Sequence, residues 1–191
     1  ISLSANSLDF GLVDVDQATA TETVIVTNTG DATLSITDIQ VQGVGASVYE
    51  VIEPTEPYPS IAPAGIQNIT VRYDPEVAST GEPPATVVVT TNVSAINIAL
   101  TGEGIDRRIS LAPLSIVFAD TYRSPAQPTI AQLDIQNTGR APLNISMAII
   151  QEDAAGVFSV RQPQFSSVGP LSTESVEVEF IPTQLQAAPY T

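Results

Sequence analysis

Carboxylates are the side chains in this sequence with the most chemical potential. Asp14-Val15-Asp16 and the group Glu50, Glu53, Glu56, Asp74 and Glu76 offer oxygen donors of the kind Ca²⁺ takes, six to eight at a time. No Asp-x-Asp-x-Asp-Gly loop accompanies them, so the spacing favours solvated carboxylates on loops and wet faces, and no metal ligand is assigned. Two carboxylates facing each other across roughly 5–9 Å would suit glycoside hydrolysis, but nothing in the sequence pairs two of them. Nucleophilic catalysis by Ser or Thr needs a base, and the chain has neither His nor Lys. The absence of His and Cys also removes the usual transition-metal ligands. Asp9-Phe10-Gly11 spells the metal-binding triplet of a protein kinase. The glycine-rich loop, strand lysine and His-Arg-Asp of that set are all missing, so Phe10 is read as a core residue at a strand end. The expectation is a non-enzyme with no catalytic, cofactor-binding or metal residue.

Two other residue classes invite a functional assignment. Asn68-Ile69-Thr70, Asn92-Val93-Ser94 and Asn144-Ile145-Ser146 fit the glycosylation sequon. In a chain this rich in Ser and Thr such matches arise by chance, and all three are placed on strands and read as incidental. Tyr49, Tyr58, Tyr73, Tyr122 and Tyr190, without any Trp, make a poor carbohydrate platform. Tyr49 and Tyr73 are assigned to the core, while Tyr58 and Tyr122, in Pro-flanked loops, remain as contact candidates.

The elements that hold these residues are legible as a repeat. Val24-Ile25-Val26-Thr27-Asn28-Thr29-Gly30, followed by Leu34-Ser35-Ile36, returns as Leu133-Asp134-Ile135-Gln136-Asn137-Thr138-Gly139 followed by Leu143-Asn144-Ile145. Ile1-Ser2-Leu3 and Phe10 match Ile109-Ser110-Leu111 and Phe118. Tyr49 and Val51 match Phe158 and Val160, and Ile69, Val71, Tyr73 and Pro75 match Val176, Val178, Phe180 and Pro182. Apolar residues alternate through these runs, which puts one strand face in a core and leaves the other wet. Thr23, Thr27, Gln132, Asp134, Glu177 and Glu179 fall on the wet side. Gly30 and Gly139 stand where a tight turn can require positive φ, and Asn28 and Asn137 where a side chain can brace one.

Short strands broken by Asn, Gly and Pro predict an all-β chain of two tandem antiparallel sandwiches, over 1–104 and 105–191. In the first copy the strands are expected near 2–4, 8–10, 22–28, 33–42, 47–52, 66–73, 85–91 and 95–101. A short connector holding Arg107 and Arg108 should join the copies, with those arginines solvated or paired to carboxylates. The second copy lacks a counterpart to Val87-Val88-Val89 and to Ile96-Asn97-Ile98-Ala99-Leu100. Either the chain runs on, or another chain supplies the missing strand by β-augmentation.

Composition narrows the partners. With 21 carboxylates against six cations, all Arg, the formal charge is −15, which repels nucleic-acid phosphates and anionic lipid faces. No apolar run reaches the ~18 residues that span a bilayer, so neither nucleic-acid binding nor membrane insertion is expected. A start at Ile1 suggests a processed or excised fragment. The acidic, Lys-free, Thr- and Val-rich composition suggests a secreted or surface prokaryotic protein.

Several of these residues carry a family resemblance. Leu8-Asp9-Phe10-Gly11, Asn28-Thr29-Gly30 with Leu34-Ser35-Ile36, Ile61-Ala62-Pro63-Ala64-Gly65, Val71-Arg72-Tyr73-Asp74-Pro75 and Leu100-Thr101-Gly102-Glu103-Gly104 together resemble the ASH (ASPM/SPD-2/Hydin) group, whose bacterial members are termed choice-of-anchor D proteins. The second copy departs at Phe118-Ala119 and lacks the closing Gly-x-Gly. The resemblance implies a seven-stranded Ig-like sandwich related to the major sperm protein fold, serving as a non-enzymatic scaffolding unit.

The expected function is accordingly a spacer and docking repeat of a larger extracellular or cell-surface protein, contacting other protein chains or further copies of the module. Two alternatives stand beside it. One is a filament or assembly subunit whose second sandwich is completed by a neighbour's strand; the other is a calcium- or carbohydrate-binding accessory module.

Overall fold

The structure is a computed structural model, and it describes residues 1–119, 128–151, 153, 156–161 and 163–182. It is all-β. The chain divides into two compact units, Ile1–Asp106 and Arg107–Thr191, and each is described by itself. Among the described residues no helix is long and apolar enough to cross a membrane.

The first unit contains β1 (Ser2–Leu3), β2 (Ser7–Asp14), β3 (Ala20–Thr27), β4 (Leu34–Gly43), β5 (Tyr49–Glu53), β6 (Ser60–Ile61), β7 (Ile66–Tyr73), β8 (Ala85–Thr91) and β9 (Ala95–Ile105). One sheet has the order β1-β3-β7-β5 and the other β2-β9-β8-β4-β6. Alternation decides which residues face inward. Val24 and Val26 of β3 are fully buried while Thr23 is exposed, and Ile69, Val71 and Tyr73 of β7 lie opposite in the same core. The second sheet contributes Ile36, Val87, Val89, Ile98 and Leu100 to that core. Each such side chain contributes about 1.5–3 kcal/mol on burial, which compensates for the absence of disulfides.

Three features depart from expectation. The unit has nine strands where the resemblance implied seven, two of them only two residues long. β2 runs parallel to β9 inside an otherwise antiparallel sandwich. The cause lies at the start of the chain, which changes sheets within three residues. The Ser4 amide donates to Ile25 O (2.9 Å) in one sheet, and Asn6 O accepts from the Ala99 amide (3.0 Å) in the other. A bulge between Asp9 and Leu12 then adjusts the register. Gly11 supplies it with φ +64°, and its amide donates to Asp9 Oδ1 at 3.1 Å. Finally, Gly30 and Gly139 do not adopt positive φ; among the described glycines Gly11, Gly43, Gly81 and Gly156 do.

The second unit contains β10 (Ile109–Ala112), β11 (Thr129–Asn137), β12 (Leu143–Asn144), β13 (Phe158–Val160), β14 (Ser167–Val168) and β15 (Thr173–Phe180). Its sheet β10-β11-β15-β13 repeats the order β1-β3-β7-β5, strand for matched strand. The other sheet differs. β12 and β14 form a two-stranded ribbon that corresponds to β4 and β6, and among the described residues no strand stands where β8 and β9 stand in the first unit. Residues 115–119, which match the front of β2, and residues 145–150, which match the rest of β4, are assigned to no strand. This is a direct consequence of pairing rules, since β2 pairs only with β9, and β4 beyond its first two residues pairs with β8.

Candidate functional site

The polar side chains that the fold positions most firmly are Asn28 and Asn137, at the ends of β3 and β11. Both are buried. Asn28 Oδ1 accepts the Gly30 amide at 3.0 Å, while Nδ2 donates to Ala32 O (2.8 Å) and Ile61 O (2.9 Å). Asn137 repeats the arrangement, with Oδ1 accepting from Gly139 (3.0 Å) and Nδ2 donating to Ala141 O (2.8 Å), Val168 O (3.1 Å) and Gly169 O (3.1 Å). Each asparagine therefore closes its own turn and ties it to the short strand of the opposite sheet, β6 or β14. The bracing read from the sequence is present, and it does more than brace the turn.

A second repeated group is aromatic. Phe10, Tyr49 and Tyr73 form one trio, with Tyr49 stacked on Tyr73 at a 4.9 Å centroid separation. Phe118, Phe158 and Phe180 form its counterpart, with centroids 5.2–5.8 Å apart. Tyr73 Oη donates to Glu82 Oε1 at 2.8 Å, and Ser79 Oγ donates to the same oxygen at 2.9 Å. Nothing in the sequence marked Glu82, which sits in a Gly/Pro-rich loop with no counterpart in the repeat. The Tyr49 hydroxyl is buried and has no hydrogen-bond partner among the described residues. Burial, reinforced by the charges of Glu82 and Asp9, pushes the Tyr49 phenol up to about 12. Burial first, then the bond to Glu82, carries Tyr73 further above the usual phenol range.

The closing Gly-x-Gly of the first unit is explained by close approaches, of this trio at Gly102 and of the segment after β7 at Gly104. A Cβ on Gly102 would sit 2.8 Å from Tyr73 Cε1, and one on Gly104 would sit 2.5 Å from Val77 O. Both positions require the absence of a side chain.

The candidate ligands do not converge. Among the described residues no three carboxylates come close enough to hold a metal ion. Asp14 Oδ1 accepts the Asp16 amide at 3.1 Å in a local turn. Glu50 is paired with Arg72 on the wet face of β5 and β7, and Glu53 accepts from Thr70 Oγ1 at 3.4 Å. Glu50, Arg72, Asp74 and Glu76 line a shallow cavity of about 390 Å³, in which the arginine offsets part of the negative charge. Tyr58 packs against the first core rather than standing free as a contact residue. Tyr122 and Tyr190 lie outside the described residues. Asn68 and Asn144 lie on strands, but Asn92 does not; it occupies the bend between β8 and β9, where its Oδ1 accepts the Ser35 amide at 3.0 Å.

Comparison with known proteins places the first unit. A family model described as HYDIN/CFA65/VesB-like, Ig-like domain, matches residues 1–104. No curated protein matches the chain. Among solved structures, a protein of unknown function from Porphyromonas gingivalis W83 is 14% identical, with TM-score 0.40, over 94% of this chain and 82% of that one. The secreted serine protease VesC from Vibrio cholerae is 12% identical, with TM-score 0.39, over 92% of this chain. This chain covers 45% of VesC. The CupB2 chaperone of Pseudomonas aeruginosa is 14% identical, with TM-score 0.36, over 92% and 87%. At these scores the structural likenesses carry no argument about activity.

Proposed function

The chain belongs to the HYDIN/CFA65/VesB-like Ig-like domain family, and on that premise we propose that it is a non-enzymatic structural and interaction module. It acts as a spacer and docking repeat of a larger secreted or cell-surface protein, with ASH-type modules in tandem. The observation that carries this is how its buried polar groups are used. Asn28 and Asn137 are committed to backbone atoms of their own sandwich turns, and Tyr73 to Glu82. Such groups stiffen the module and leave it with flat sheet faces as its means of contact. The absence of His and Lys, the usual bases for a Ser or Thr nucleophile, points the same way.

An antibody raised against these residues tests location, and the mass of the native polypeptide tests the tandem-spacer role. Binding to intact cells of the source organism, together with a mass well above 20.0 kDa, is the expected result. Binding that appears only after lysis overturns the surface assignment. The reading as a calcium- or carbohydrate-binding module has no supporting cluster among the described residues.

A further inference from the structure

We infer that the free edge of β4, from Ile39 to Gly43, pairs with the same edge of a second copy of this chain, antiparallel and around a two-fold axis at Val41. The inference rests on the docking role proposed above and names its site and partner. β4 lies between β8 and β6, but β6 covers only Leu34 and Ser35. The pairing with β8 continues to Gly43. Among the described residues, the other side of β4 therefore has no strand beside it beyond Ser35.

The direction of the backbone groups follows from the register. The Thr91 amide donates to Ser94 O (3.1 Å) where β8 turns into β9. Alternation then makes Thr91, Val89, Val87 and Ala85 address β9, while Thr90, Val88 and Thr86 address β4. The latter three stand opposite Asp38, Gln40 and Gln42, so the N–H and C=O groups of Ile39, Val41 and Gly43 point to the open side. No turn or loop among the described residues bonds to them. The end of this edge is fixed in place, because a Cβ on Gly43 would sit 2.4 Å from Pro84 O and the Gly45 amide donates to that oxygen at 3.3 Å.

The other edges of the first unit are blunted. β1 and β6 have two residues each. β2 breaks at its bulge, where Gly11 has φ +64°, and β5 has a bulge after Val51 and carries Glu50 and Glu53. Short length, bulges and charge are what keep strand edges from pairing. The bulge of β4 falls before this stretch, between Ile36 and Asp38, and Ile39-Gln40-Val41-Gln42-Gly43-Val44 contains neither charge nor proline.

The same features select the occupant. A net charge of −15 repels an acidic segment, and a basic one finds no carboxylate on the strip to select it. A second copy supplies a strand of matching length and neutrality. A two-fold axis at Val41 sets Val41 against Val41, Ile39 against Gly43 and Gln40 against Gln42, an isologous contact. It is the one two-fold register that gives every outward-pointing residue of the strip an outward-pointing partner. Val41, which packs on the first core, then forms a β-branched pair, and the glutamine amides can both donate and accept. Asp38 falls opposite Val44 and not opposite its own copy.

The test is sedimentation equilibrium of the intact chain over a concentration series, with amide exchange followed residue by residue. The mass should move from 20.0 kDa towards twice that value, and exchange at Ile39, Val41 and Gly43 should slow about tenfold on association, as for amides closed into a ladder. Gln40→Glu with Gln42→Glu, both at exposed positions, sets like charges opposite each other and should abolish association. Gln40→Lys with Gln42→Glu sets opposite charges there and should restore it. A monomer at every concentration, association that the first variant leaves intact, or a second variant that fails to restore it overturns the inference. So does protection of residues 39–43 by a lysine-rich peptide while the chain stays monomeric, which would assign the edge to a basic partner. Surface location and native mass are measured separately, so failure here is distinguishable from failure of the proposed role.

Discussion

Asn28 does at one position what usually takes several residues, and the cost of replacing it follows from the atoms it serves. Asn28→Ala orphans the Gly30 amide and the carbonyls of Ala32 and Ile61, so it should cost about 2–3 kcal/mol. Asn28→Asp is the sharper probe. It keeps an acceptor for Gly30 but has no proton to give either carbonyl and brings a charge into a buried site. It should cost at least as much as the alanine in urea denaturation. Stability within about 0.5 kcal/mol of the parent for either variant would show that the clasp contributes little. The tyrosines give a contrast of the opposite kind. Tyr49→Phe removes a hydroxyl with no partner among the described residues and should be neutral or stabilising; Phe158 already stands at the matched position. Tyr73→Phe leaves Glu82 with one donor fewer and should destabilise by about 1 kcal/mol. Both phenols ionise later in the folded chain than in the unfolded one. Above the ordinary value of 10.0 the unfolded chain therefore releases protons that the folded chain retains. The stability these groups provide is complete below pH 10 and declines as pH rises towards about 12, the folded value for Tyr49. A pH titration of unfolding should show that decline in the parent and a shallower one in either phenylalanine variant. An unchanged slope would contradict the assigned cause.

At the scale of elements, two glycines separate steric from conformational demand. Gly102 of β9 has no room for a Cβ, because the Tyr73 ring it would strike is fully buried and stacked on Tyr49. Gly102→Ala should cost about 1–3 kcal/mol through overpacking. Gly11 of β2 has open space around it, and only its φ of +64° opposes a side chain. Gly11→Ala should cost about 1 kcal/mol. Thermal melting of the two variants should rank Gly102→Ala below Gly11→Ala, and the reverse order would refute this account of the closing strand. The same strands show what a sequence discloses. β3, β7 and their repeats were legible because alternation around Val24, Val26, Ile69 and Val71 is a local signal that a buried face imposes. Asn28 was legible because an asparagine before Thr-Gly has few other uses. The parallel pairing of β2 with β9 was not, since a contact between residues 92 apart, such as Leu8 with Leu100, leaves no periodic trace. Positive φ at Gly30 was inferred from residue type alone, and the asparagine hydrogen bonds close that turn without it. Tyr58 looked free because prolines flank it, yet an aromatic ring beside a core buries what it can. The carboxylates looked like a cluster in sequence; strand geometry sends Glu50 to Arg72 and Glu53 to Thr70.

For the molecule as a whole, charge sets the balance, and the question is whether repulsion or pairing dominates. Arg72–Glu50 and the pairs of Arg161 with Glu177 and Glu179 are attractive, but the Arg72 and Glu50 side chains are 43% and 59% exposed and Arg161 is 61% exposed. Exposed pairs contribute about 0–1 kcal/mol each. Against them stand 21 carboxylates and six cations, an imbalance felt over the Debye length of about 30 Å at 0.01 M salt and about 10 Å at 0.1 M. Screening should therefore remove more repulsion than attraction. Raising NaCl from about 0.01 to about 0.1 M should lift the melting midpoint by a few degrees, roughly the response to 1 kcal/mol in a domain of this size. A fall would mean that the pairs outweigh the net charge. Divalent ions extend the same argument, because screening depends on ionic strength while a binding site depends on converging oxygens. No such convergence exists among the described residues, so Ca²⁺ and Mg²⁺ at matched ionic strength should raise the midpoint equally. A rise with Ca²⁺ several degrees beyond Mg²⁺ would instead report mass-action binding to the folded chain, and the assignment of these carboxylates to solvated faces would fall.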